Sequence, residues 1–138
     1  MEDKTLKVYT DGGAKGNPGP ASIGVIIIDS QGKEYLRLSK NIGVTTNNFA
    51  EYQAVISALE WIRKNQNNLR EFEKINFFLD SKLVVNQLNG IYKIKNFDLK
   101  NQAVKVKTLE KSLPFLVRYS HIPREENKIA DFLVNQSS

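Results

Sequence analysis

Four acids set the chemistry open to this sequence: Asp11 after a short alternating run, Asp80 after a dense apolar run, Glu51 early in a helical stretch, and Asp131 in the last one. If folding gathers them within a few ångströms, they cannot all stay ionised without a cation, because like charges at that range repel. Together they would make a cage of hard oxygen donors for a divalent metal, and Mg²⁺ suits such donors best. Taken singly, each acid also has an ordinary reading. Asp11 before Gly12-Gly13 is a turn residue and Asp80-Ser81 is a helix cap. Glu51 and Asp131 are acids favoured by a helix dipole.

The elements that must position them can be read from periodicity. Residues 5–10 alternate as a strand that stops at Asp11-Gly12-Gly13, and the loop Gly16-Asn17-Pro18-Gly19-Pro20 follows. Residues 21–29 form an apolar strand, Ser30-Gln31-Gly32 turns it, and residues 33–42 return. Thr46-Asn47-Asn48 offers capping residues for a helix over 51–64, with Val55, Ile56, Leu59 and Ile62 on one stripe. After a linker over 65–71, residues 74–79 are apolar enough for a central parallel strand buried on both faces. A helix opens at Asp80-Ser81 and closes at Gly90; others span 97–111 and 128–136, with a strand at 115–120 and a short loop at 122–127 between them. The order βββαβααβα predicts a mixed α/β sheet covered by helices. A right-handed crossover between the first and fourth strands would bring Asp11 and Asp80 to one sheet edge.

Composition narrows the class. At 138 residues and 15.7 kDa the chain fits one domain, spanning residues 1–138. The longest apolar run, from Ile23 to Ile28, is interrupted by Gly24, and Met1-Glu2-Asp3-Lys4 lacks a signal-peptide core, so a soluble cytoplasmic protein away from membranes is expected. Without cysteine there are no thiolate metal sites, disulfides or cysteine nucleophiles. The motifs of nucleotide cradles and zinc proteases are absent, and the single His121 follows a strand in a structural setting. Tyr52 and Trp61 are packing residues of the first helix. Residues 82–111 hold seven lysines against Asp98 and Glu110, a local charge equal to the whole net charge of +5. Such a stretch is either a polyanion-binding face or a solvated helix.

The segments Tyr9-Thr10-Asp11-Gly12-Gly13-Ala14-Lys15-Gly16-Asn17-Pro18-Gly19-Pro20, Thr45-Thr46-Asn47-Asn48-Phe49-Ala50-Glu51-Tyr52, Leu79-Asp80-Ser81 and Asn127-Lys128-Ile129-Ala130-Asp131 resemble, in order and spacing, the signature segments of ribonuclease HI. The resemblance implies the ribonuclease H-like fold, an α/β five-stranded mixed sheet with three antiparallel strands and then two parallel, flanked by helices. It implies that Asp11, Glu51, Asp80 and Asp131 are the catalytic, metal-binding quartet, holding two Mg²⁺ ions, or Mn²⁺, when substrate is bound. The reaction would be endonucleolytic hydrolysis of the RNA strand of an RNA–DNA hybrid, giving 5′-phosphate and 3′-hydroxyl ends. Asp11 and Asp80 would bridge the metals, Glu51 would lie near the RNA 2′-hydroxyl, and Asp131 would complete the second metal's shell. Asn17, Asn47 and Asn48 match positions that contact the hybrid, and Thr46 matches a DNA-phosphate contact. Gly12, Ser81 and Lys82 complete the substrate contacts expected near the acids.

Two departures stand out. Many members carry a histidine in the loop before the last acid; here that loop is Ile122-Pro123-Arg124-Glu125-Glu126-Asn127, and Arg124 is the candidate cation in its place. The basic protrusion of some bacterial members is also missing, so Tyr92, Lys93, Lys95 and the downstream lysines are expected to grip the hybrid, with weaker and more salt-sensitive binding. The chain begins almost at its first strand, which predicts no separate hybrid-binding domain, and a monomer is expected. A hybrid-binding module of low activity and a same-fold nuclease acting on double-stranded RNA are the competing readings.

Overall fold

A computed structural model describes residues 3–137. Strand β1 (Thr5–Ala14) pairs antiparallel with β2 (Gly19–Asp29), which pairs antiparallel with β3 (Glu34–Thr45). Helix α1 (Asn47–Lys64) and one 3₁₀ turn, Gln66–Leu69, lead to β4 (Lys74–Leu79). Helices α2 (Lys82–Leu88) and α3 (Phe97–Lys111) precede β5 (Leu116–His121), and a 3₁₀ turn at Arg124–Glu126 leads into α4 (Lys128–Gln136). The sheet order is β3-β2-β1-β4-β5, with β1, β4 and β5 parallel, as the element pattern predicts. None of the described helices is long and apolar enough to cross a membrane.

Pairing alternates the two faces of the sheet. Leu6, Val8, Ile23, Val25, Ile27, Ile75, Phe77 and Leu79 are buried beneath α1, α2 and α3, where the core lies. Tyr52 and Leu59 fill it from α1, and the Tyr52 hydroxyl bonds Gln87 of α2 at 2.8 Å. On the other face α4 covers β1, β2 and β3. It sits so close that a Cβ on Gly24 would lie 2.3 Å from the Ala130 carbonyl oxygen.

Three local expectations change. First, β1 does not stop at the Asp-Gly-Gly step. Its ladder with β2 continues through Gly13–Ser22 and Ala14–Ala21, so Asp11 lies inside the strand. A glycine pair reads as a turn locally, but a partner strand can carry the ladder straight through it. Second, Thr46 caps α1 by accepting the Phe49 N–H at 3.2 Å, so the helix starts at Asn47 and Glu51 lies beyond the first turn. The dipole reading of Glu51 falls with that. Third, β4 is buried on one face only. Asn76 and Phe78 are half-buried because α4 packs on the three strands β1, β2 and β3, and Phe78 stacks instead on Tyr9, ring centroids 4.9 Å apart.

Candidate active site

The site forms where β1 and β4 separate. Their parallel pairing ends at Tyr9–Phe78, and two more steps of the same register put Asp11 opposite Asp80, on the α4 face. Glu51 comes from the opposite side. Helix α1 lies directly on the β1 backbone at Gly12, where a Cβ would fall 2.4 Å from the Ala50 carbonyl carbon and oxygen. Glycine permits this approach, and the approach brings the Glu51 carboxyl to Asp11. Oxygen atoms of Asp11, Glu51 and Asp80 then lie within 4.8 Å of one another. Gly12→Ala is expected to push α1 off the sheet. We expect a loss of about 3 kcal/mol in urea unfolding, together with weaker divalent-cation binding.

Asp11 and Glu51 are buried, Asp80 half-buried. Burial first, then the Asp80 charge, pushes the Asp11 carboxyl up to about 7, although the Gly12 N–H bonds its Oδ1 at 2.9 Å and pulls the other way. Burial, then Asp11, holds Glu51 well above the ordinary carboxylate range. Its Oε2 is buried with no hydrogen-bond partner among the described residues. An orphaned carboxylate oxygen beside two other acids is what a cation site offers, and hard oxygen donors suit Mg²⁺ or Mn²⁺. Asp131, in the first turn of α4, adds a further push on Asp11 but stands outside the trio. It lines a groove of about 310 Å³ with Asp11, Asn47 and Arg124.

Residues 9–137 match the family model described as "Reverse transcriptase-like". The chain is 35% identical to ribonuclease HI of Halobacterium salinarum over 132 residues, covering 96% of this chain and 63% of that protein. It is 37% identical to a bifunctional protein of Mycobacterium tuberculosis over 131 residues, 94% of this chain and 34% of the other. The chain thus spans under two thirds of these relatives. Among solved structures, LC11-RNase H1, isolated from compost by a metagenomic approach, superposes with a TM-score of 0.91 at 43% identity, over 98% of this chain and 96% of that one. The chain belongs to the type 1 ribonuclease H family. LC11-RNase H1 has also been solved in complex with an RNA/DNA hybrid; that structure matches at a TM-score of 0.89 and 43% identity, over 96% of this chain and 95% of that one.

The ribonuclease H fold places the expected substrate contacts unevenly. Asn47 accepts the Ala14 N–H at 2.8 Å, and Asn17 accepts the Asn47 N–H at 2.9 Å, so the β1–β2 loop is tied to the start of α1. Both side-chain oxygens are committed to backbone, which leaves each amide NH₂ as a donor without a partner among the described residues. Asn48 is half-buried; Thr46 and Ser81 act as the caps of α1 and α2. Gly12 is buried under α1, while Lys82 and the α2–α3 loop residues Tyr92, Lys93 and Lys95 are exposed. His121 ends β5, exposed, and Arg124 occupies the groove instead.

Sequence reasoning assigned no role to Asn127. Its Nδ2 donates to the Thr10 carbonyl and to Asp80 Oδ2, each at 3.0 Å. The only sequence signal was its place at the head of the last signature segment, since a lone Asn before a helix reads as a cap.

Proposed function

We propose that the chain is a divalent-metal-dependent endoribonuclease that hydrolyses the RNA strand of RNA–DNA hybrids, leaving 5′-phosphate and 3′-hydroxyl ends. Residues 1–138 act as one catalytic domain, a monomer working in the cytoplasm. The observation that carries this reading is the convergence of Asp11, Glu51 and Asp80, with burial raising two of them and Glu51 Oε2 left unpartnered. Likeness to LC11-RNase H1, solved with a hybrid, supports the substrate class.

Asp11, Glu51 and Asp80 would hold divalent metal, with Asp131 beside them contributing to the same site. Such a metal would supply the chemistry of activating a water for attack and offsetting charge on the departing 3′-oxygen. The chain's own groups do the rest. Glu51 lies toward the 2′-hydroxyl that marks RNA. The free NH₂ groups of Asn17 and Asn47, with Asn48 beside them, donate to the hybrid in the minor groove, and the Thr46 cap residue meets a DNA phosphate. Gly12, Ser81 and Lys82 border the scissile region, while Tyr92, Lys93 and Lys95 hold the flanking duplex by phosphate contacts whose strength falls with salt.

Arg124 supplies the positive charge that the loop histidine supplies in many relatives. Arg124→Ala is expected to lower kcat about tenfold while leaving KM within about twofold, since Arg124 lines the groove beside Asp11 and Asp131. Steady-state cleavage kinetics check this, and unchanged turnover would remove Arg124 from the mechanism.

The reading is tested by incubating purified protein and Mg²⁺ with labelled hybrid, double-stranded RNA and duplex DNA. Cleavage confined to the hybrid is expected. Preferential cleavage of double-stranded RNA would reassign the substrate, and tight hybrid binding without cleavage would make the chain a binding module.

A further inference from the structure

We infer that Asn127 is a positioning residue for the metal-binding carboxylates, an assignment that rests on the reading of the acidic trio given above. Its side chain orients Asp80 and fixes the start of α4 against the point where β1 and β4 part.

Asn127 is 1% exposed, and its amide group spends both N–H bonds on this junction, one on the Thr10 carbonyl and one on Asp80 Oδ2. Thr10 immediately precedes Asp11 on β1. The backbone of Asn127 is engaged too: its N–H donates to the Arg124 carbonyl at 3.0 Å, and its carbonyl accepts the Asp131 N–H at 3.1 Å. One residue therefore joins the strand that bears Asp11, the Asp80 carboxylate itself, the turn that bears Arg124 and the helical turn that bears Asp131. Only Glu51 is held independently, through α1 and Gly12.

The chemistry of the contact favours a metal-directed role over simple packing. A neutral amide orients a carboxylate by one hydrogen bond and leaves its charge intact, whereas Lys or Arg in the same place would compete with the cation for that charge. Holding Oδ2 also stops rotation of the carboxyl group, leaving Oδ1 and the second lone pair of Oδ2 available. The arrangement is not one that stability alone selects. Asn127 Oδ1 is buried without a partner among the described residues, and an unmet buried acceptor costs about 1–3 kcal/mol.

The test is a Mn²⁺ titration of the whole chain without hybrid, on the unaltered protein, Asn127→Ala and the near-isosteric Asn127→Leu. Thermal midpoints and cleavage kinetics are measured beside it. The Mn²⁺ dissociation constant is expected to rise about 10–100-fold in both variants. In the kinetics kcat should fall while KM for the hybrid stays within about twofold, because a buried Asn127 does not touch the duplex. A lowered midpoint with unchanged Mn²⁺ affinity overturns the assignment, as does loss of folding in both variants, which would make the role purely structural. Absence of saturable Mn²⁺ binding by the unaltered protein overturns it as well. If the unaltered protein binds Mn²⁺ but cuts no hybrid, the proposed function fails while the affinity comparison still decides the role of Asn127.

Discussion

Replacing Asp11 by Asn is expected to abolish cleavage, by about a thousandfold or more in kcat, and at the same time to make the protein more stable. Both effects have one cause. Asp11 is buried against Glu51 and Asp80, so the isolated fold carries the cost of crowding like charges. Asn keeps the shape and can still accept the Gly12 N–H, but it removes one charge from the trio and one anionic ligand from the metal. If Asp11 holds the metal, its loss would remove the metal's contribution to the barrier, and a thousandfold corresponds to about 4 kcal/mol. The thermal midpoint without divalent cation should rise by several degrees, the opposite of what a buried polar substitution usually does. Glu51→Gln should behave in the same way, since burial and then Asp11 disfavour its charge too. Matched calorimetry and cleavage assays check the pair of signs. A destabilised, inactive Asp11→Asn would mean that its carboxylate is already compensated within the fold.

The second large effect is a stability profile that a divalent cation reshapes. The Asp11 carboxyl is raised from 3.8 to about 7. Between roughly pH 4 and 7 the folded chain therefore keeps a proton that the unfolded chain has released, so stability without cation falls as pH rises across that window, and Glu51, also held above its ordinary range, adds to the fall. The Asp11 part of that fall is about 4 kcal/mol, or roughly 8–16 °C in midpoint for a domain of this size. A divalent cation held by Asp11 would take the place of the proton, so saturating Mg²⁺ should raise the midpoint far more at pH 8 than at pH 5. Thermal melts at the two pH values, with and without Mg²⁺, test this directly. Equal stabilisation at both would show that the cation binds away from Asp11.

Much of this was legible in the sequence because it is periodic or local. The bounds of α3 and α4 follow from apolar spacing and breakers, and the acids that end apolar runs point toward one sheet edge. What the sequence hid is non-local. The continuation of β1 through Gly12-Gly13 depends on Ser22 and Ala21 across the ladder, and Gly12 matters because of Ala50 above it. The half-open face of β4 depends on how far α4 reaches, which no residue of β4 encodes. Asn127 acts on Thr10 and Asp80, residues far away along the chain, while locally it looks like any residue before a helix. Asn17 and Asn47 looked like turn and cap residues, and only the fold shows them bracing the loop beside the acids.

The acidic trio, loaded with divalent metal, is expected to cut the RNA strand of a hybrid. The most direct test is a time course on one hybrid labelled separately on each strand, in Mg²⁺ and in EDTA. RNA fragments with 5′-phosphate ends are expected in Mg²⁺, with an intact DNA strand and no cleavage in EDTA; cutting of the DNA strand, or of RNA in EDTA, would contradict metal-dependent cleavage of the RNA strand.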